Sequence, residues 1–186
     1  DSISLPPGTY YLNSGLPVLM NPLTLEGSGA SGLNPTLITT TAGLTSGLTL
    51  QSNSMIRGVK INNFANGIWV SKDNPVFENC VINGNIKGIN IVGGANAINV
   101  TIRTSTIKEN TKGIWMEGGT AATNLTLEQT HVFGNENNGL GCGSGARIRG
   151  NSVLSAQNSD FYENINDGNG GALCTESGGS IYLNST

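Results

Sequence analysis

The chain has 186 residues, a formal net charge of −3 and only 11% charged residues. That length suffices for one domain with a real core. The mild negative charge argues against a nucleic-acid partner, which calls for a basic patch, and no run reaches the roughly 18 apolar residues of a membrane span. Gly, Asn, Ser and Thr carry the surface in place of charge, which suits a turn-rich extracellular β protein.

Residues 1–56 read as an irregular start. Ile3 and Leu5 alternate, Pro6-Pro7-Gly8 turns, and Tyr10-Tyr11-Leu12 resumes. Leu23 and Leu25 flank Thr24 and run into Gly27-Ser28-Gly29; Leu37-Ile38 and Leu48-Thr49-Leu50 follow as strands. Val59, Ile61, Phe64, Gly67, Ile68 and Val70 form a shortened copy of the pattern that comes next.

From Pro75 to Cys142 one unit is written almost three times. Phe77, Cys80, Ile82, Asn85, Gly88, Ile89 and Ile91 return 25 residues later as Ile102, Ser105, Ile107, Asn110, Gly113, Ile114 and Met116. They return again as Leu127, Thr130, Val132 and Asn135, then with one extra residue as Gly139, Leu140 and Cys142. A fixed period of this length marks a repeat architecture in which each unit buries its apolar face against its neighbours. Within a unit the apolar residues alternate, as in Ile89-Asn90-Ile91 and Leu125-Thr126-Leu127, so the elements are short strands and not helices. Three short strands per ~25 residues fit one rung of a parallel β-helix with rungs about 4.8 Å apart. Ile82, Ile107 and Val132 then form an inward aliphatic column, and Cys80, Ser105 and Thr130 a column of small residues at a corner. Asn85, Asn110, Asn135 and, further on, Asn164 form a structural amide ladder. Asn also tolerates the left-handed backbone of a tight corner, and Gly88, Gly113 and Gly139 lead into the third strand.

From Ala146 the copy loosens. Val153 and Ser155 begin a rung, Phe161, Asn164 and Gly170-Gly171 continue it with extra residues at Ile165–Asn169, and Ile181 and Leu183 start another. The fold expected is all-β: a right-handed parallel β-helix of roughly seven rungs, on the order of 35 Å tall. No linker or composition break appears, so residues 1–186 are read as one domain, with irregular rungs at 1–56, regular repeats at 57–142 and loosened, open-ended rungs at 143–186. The chain opens on Asp1 without a signal peptide, which reads as processed, excised or incomplete.

The stretch Ile3 to Gly29 resembles the opening of bacterial right-handed parallel β-helix surface proteins, with its Pro-Gly-Thr-Tyr turn and a strand ending in Gly-x-Gly. Phe161-Tyr162-Glu163-Asn164 with Gly170-Gly171-Ala172-Leu173 resembles the paired short motifs of polymorphic outer-membrane protein and autotransporter-passenger repeats. The resemblance implies a secreted or surface-displayed β-helix of structural or adhesive role, and it carries over no catalytic residue.

Parallel β-helices also include pectate lyases and polygalacturonases, whose chemistry needs clustered acids. Glu109 and Glu163 share a position, but Gly134 stands on the rung between them; Glu117, Asp160 and Asp167 have no partner in register. The lone His131 aligns with Thr106 and Val81 on the outward side, without a recognisable acid or nucleophile. No Cys/His set has metal spacing, and the glycine pairs are turn residues, so no cofactor is expected.

Trp69 and Trp115 fall between inward residues. They should face outward on one sheet, two rungs apart with Asn90 between them, where they serve as a contact for a glycan or a protein partner. Asn99-Val100-Thr101, Asn124-Leu125-Thr126 and Asn184-Ser185-Thr186 are candidate N-glycosylation sequons, though Asn- and Thr-rich repeats produce such triplets by chance. Three cysteines make no disulfide framework. Cys142 is open to two readings, core filler aligned with Met116 and Ile91, or a disulfide to Cys174 on the next rung; Cys80 reads as a free buried residue.

The functional expectation is a non-catalytic, secreted or cell-surface structural and adhesive module. Its uncapped ends stack head-to-tail on copies of itself into a fibre or continue into a longer passenger. A pectate-lyase-like enzyme and a glycan-binding module recognising surface polysaccharide are the alternatives.

Overall fold

The computed structural model describes residues 1–14, 18–43, 45–139, 141–168 and 170–184. Among these, regular structure is strand throughout, arranged in parallel sheets of eight, seven and six strands with a separate two-stranded pair. The chain winds as a right-handed β-solenoid of about seven turns, with equivalent positions about 25 residues apart.

The regular rungs show why these residues form these elements. Ile98–Arg103 lies on Thr123–Glu128 in the first sheet, Thr106–Lys108 on His131–Phe133 in the second, and Lys87–Val92 on Lys112–Glu117 in the third. The registers place Ile61, Ile82, Ile107, Val132 and Phe161 in one column, and Ile56, Phe77, Ile102 and Leu127 in another. Period-2 alternation sends these side chains inward on every rung, and apart from Phe161 at the loosened end they are completely buried.

Two tight corners recur. Gly58, Asn79, Thr104, Gln129 and Asn158 form the first, with φ between 47° and 66°. Next to it the small-residue column is a hydroxyl ladder: Cys80 N–H donates to Ser105 Oγ at 3.1 Å, and Thr130 N–H to Ser159 Oγ at 3.1 Å. The second corner precedes the amide ladder and is made by Asn63, Gly84, Glu109, Gly134 and Glu163, with φ between 52° and 71°. The left-handed residue is therefore the one before each ladder asparagine, and not the ladder asparagine itself as expected. The ladder side chain must turn into the core to bond along the stack, and the preceding residue takes the strain.

The glycines beside the ladder have a steric reason. A Cβ on Gly88 would lie 2.7 Å from Gly113 O and 2.9 Å from Asn110 Nδ2, and Gly67 and Gly113 are equally tight. None of these has a left-handed φ, so close approach of backbone and amide decides the residue.

One alignment is corrected. The rung after Lys112–Glu117 does not take its third strand from Gly139, Leu140 and Cys142. Leu140 lies outside the described residues, and the strand is Ala146–Arg149, pairing Ile114 with Ala146 and Met116 with Ile148. Gly145 occupies the Gly113 position. The chain first makes an excursion, pairing Glu136–Asn137 with Ile165–Asn166 in the separate two-stranded sheet. Leu140-x-Cys142 and Ala146-x-Ile148 are both apolar-x-apolar, so alternation alone could not choose between them. Further on, Leu154 and Ala156 point inward, leaving Val153 and Ser155 outward.

An alternating charge column crosses the first sheet. Glu26, Arg57, Glu78, Arg103 and Glu128 stand in register, with Arg57–Glu26 at 2.8 Å and Arg103–Glu78 at 3.2 Å. A strand slipped by one residue would separate these ion pairs and set their charges opposite uncharged positions, so the column reinforces the register.

Candidate functional site

The outward face of the six-stranded sheet concentrates the chemistry. Its central column reads Thr49, Trp69, Asn90, Trp115, Arg147 and Cys174, each paired with the next. Trp69, Asn90 and Trp115 thus stand on adjacent rungs as expected from the repeat. Their environments differ. Trp69 is 38% exposed, while Asn90 is buried at 8% and donates through Nδ2 to Asn66 Oδ1 at 3.1 Å.

Trp115 is half-buried, which corrects the expectation of a bare indole. Its ring is ringed by cations, with Arg147 Cζ 4.0 Å, Lys112 Nζ 4.4 Å and Lys87 Nζ 5.0 Å from the centroid. An indole face attracts positive charge through its quadrupole, and the long side chains cover the ring with their stems. Lys87 and Lys112 are in register on successive strands. Burial, and then the charge of Lys112, pushes the Lys87 ammonium below its ordinary pKa.

The acids of this face are engaged with arginine. Arg147 makes a two-point ion pair with Glu176, through Nε at 3.1 Å and through Nη2, and this holds the Glu176 carboxyl below its usual range. Arg149 Nη1 lies 3.4 Å from Glu117. Lys87 and Lys112 have no ion pair among the described residues.

Cys142 and Cys174 are joined by a disulfide with Cα atoms 5.7 Å apart. Cys142 is not core filler at the Met116 position; it lies on the excursion and ties it to the strand Leu173–Glu176. Glu176 Oε1 lies 3.1 Å from Cys142 Sγ. Among the described residues, the one set of three potential metal-ligating side chains is Cys142, Cys174 and Glu176, and its two sulfurs are bonded to each other. Cys80 is free and buried, its thiol pushed up to about 11 by desolvation.

The amide ladder is continuous. Nδ2 of Asn85 donates to Asn110 Oδ1 at 3.0 Å, Asn110 to Asn135 at 3.0 Å, and Asn135 to Asn164 at 2.8 Å. A second ladder lies outside, on the turn into the first sheet. Asn74 Nδ2 donates to Asn53 Oδ1 at 3.2 Å, Asn99 to Asn74 at 2.8 Å and Asn124 to Asn99 at 2.8 Å. The sequon asparagines Asn99 and Asn124 therefore belong to an outward ladder. Asn184 is exposed on the strand Ser180–Asn184, but Ser185 and Thr186 of its triplet lie outside the described residues.

Elsewhere some of the charges are paired. Asp160 Oδ2 lies 3.0 Å from His131 Nδ1, both exposed, so each has the partner that sequence spacing had denied it. The extra residues of the excursion stretch that separation to 29 and hide it from a 25-residue comparison. Lys108 binds Glu109 at 2.9 Å beside a groove of about 420 Å³ floored by Lys60, Thr106 and Phe133. A groove of about 270 Å³ on the first sheet holds Glu26 and Glu78, both paired with arginine.

The cations around Trp115 were missed in the sequence. Lys87 and Lys112 were legible, since they differ by the repeat length; Arg147 was not, because the excursion shifts it. Residues 43–132 match the family model described as a right handed beta helix region. No curated protein and no solved structure matches the chain.

Proposed function

We propose that this β-helix repeat protein is a non-catalytic, secreted or surface-displayed structural and adhesive module that meets its partner through the Trp69–Asn90–Trp115 face. The observation that carries the reading is the alignment of an exposed indole and a ring of cations on one flat sheet, held by an interior that leaves no freedom of register. The Cys142–Cys174 bond supports an oxidising compartment, and the likeness of the opening segment to bacterial surface β-helices agrees with display outside the cell. The acids of the first-sheet groove are neutralised by Arg57 and Arg103, which favours a contact role over acid–base chemistry.

The two ends supply a second contact. At the first rungs an apolar hollow of about 240 Å³ opens between Leu5, Leu19, Leu23 and Leu48. At the last strand, Ile181 and Leu183 stand over Leu154 and Ala156, with Leu183 61% exposed. Apolar ends of this kind favour continuation into another rung, from a longer passenger or a second copy stacked head-to-tail. Tryptophan fluorescence tests the face, through a change in emission on adding cell-surface polysaccharides. Size-exclusion chromatography with negative-stain imaging tests the ends. Unchanged emission together with a concentration-independent monomer would remove the proposal.

A further inference from the structure

We infer that the ligand of this face is an anionic polysaccharide whose carboxylate or sulfate groups seat on Lys87 and Lys112 while a sugar ring stacks on Trp69. The inference rests on the reading of the face as a contact surface and names the chemistry that the surface selects.

The charge balance of the sheet points to an anion. The chain as a whole is negative, at −3, yet this one face carries Lys87, Lys112, Arg147 and Arg149 against Glu117 and Glu176. Each carboxylate is claimed by an arginine. The two ammonium groups left over are held over the same indole ring. Stacking like charges on successive rungs is unfavourable, and cation–π attraction at a partly exposed site offsets only about 0.5–1 kcal/mol each. An anionic group bridging the two ammoniums removes the repulsion and makes charge-assisted hydrogen bonds to both.

The geometry points to an extended sugar chain. Trp69 lies two rungs from Trp115, on the order of 10 Å along the solenoid axis at about 4.8 Å per rung. A pyranose residue in an extended chain advances it by roughly one rung spacing, so about two sugars cover that distance. A chain running along the axis therefore brings an anionic substituent to the lysines and an apolar ring face to the exposed indole. Trp115 itself is covered by cations and serves as their platform, which leaves Trp69 as the stacking surface.

The test uses the whole chain and measures binding of polygalacturonate, dextran sulfate, neutral dextran and duplex DNA by calorimetry at low and high salt. One or both acidic polysaccharides should bind and weaken with salt, and neutral dextran should not bind. The uronate and sulfate arms identify which anion is preferred. The double variant K87Q/K112Q should lose roughly tenfold in affinity, equivalent to about 1.4 kcal/mol, with an unchanged circular dichroism spectrum. W69A should weaken binding while leaving its salt dependence intact. Neutral dextran binding as tightly as the acidic polymers, with W69A still defective, would overturn the anionic assignment and leave the contact face standing. Wild-type affinity in K87Q/K112Q, or equal binding of DNA, would also overturn it. Failure of every polymer to bind would sink the face and the ligand together.

Discussion

Replacing Asn110 with Ala probes the interior ladder at its centre. The Asn110 side chain is 2% exposed. Its Nδ2 donates to Asn135 Oδ1 at 3.0 Å and to Ile82 O at 3.1 Å, and its Oδ1 accepts from Asn85 N–H and Nδ2, both at 3.0 Å. The variant deletes all of these. Asn85 Nδ2 keeps Ile61 O and Asn83 O, and Asn135 Oδ1 keeps the Asn110 backbone N–H, but the buried Asn85 N–H is left without its acceptor. At about 1 kcal/mol net per hydrogen bond, with the orphaned donor at the upper end, the loss is about 3–5 kcal/mol. Asn99→Ala is the matched control. It removes a ladder side chain bonded to Asn74 and Asn124 at 2.8 Å each, but on an exposed turn where water takes over, so its cost is within about 0.5 kcal/mol. Urea denaturation followed by circular dichroism measures both. Equal destabilisation by the two variants would refute the claim that burial, and not amide stacking as such, gives the ladder its weight.

Gly88→Ala should cost about 1–3 kcal/mol by overpacking, because its Cβ meets the Gly113 carbonyl, whereas Gly94→Ala has open space and should leave the melting temperature unchanged. Reducing the Cys142–Cys174 bond, or the C142S/C174S double variant, should destabilise by about 3–4 kcal/mol from the loop it closes, read as a lower urea midpoint in reductant. Glu176 has a folded pKa depressed by Arg147, so its contribution is present above the ordinary carboxylate value of 4.5 and is lost as pH falls through the folded value. E176Q should flatten that acid limb of the stability profile. Cys80, buried and with its thiol pushed up to about 11, should resist a thiol reagent at neutral pH in the native chain and react at once in urea.

Much of this molecule was legible as a period. Residues a constant distance apart occupy the same place on successive rungs, so the regular aliphatic columns, the Asn85–Asn110–Asn135 ladder and the Asn90–Trp115 pair followed from counting, and Trp69 from the shortened copy before them. Counting holds only while the connecting loops keep their length. The excursion before Gly145 breaks it, and Arg147 over Trp115, the His131–Asp160 pair and the true third strand at Ala146–Arg149 escaped. The alternating Glu–Arg column was half visible, since Glu78, Arg103 and Glu128 keep the period while Glu26 and Arg57 do not.

Alternation and repeat length by themselves determine a stacked solenoid, because only stacking buries every inward residue at once. Which cation sits on the indole, which cysteines meet and which glycine lacks room for a methyl were decided by the coil itself. Those are distances between rungs of unequal length, and they exist only after the chain has closed each turn.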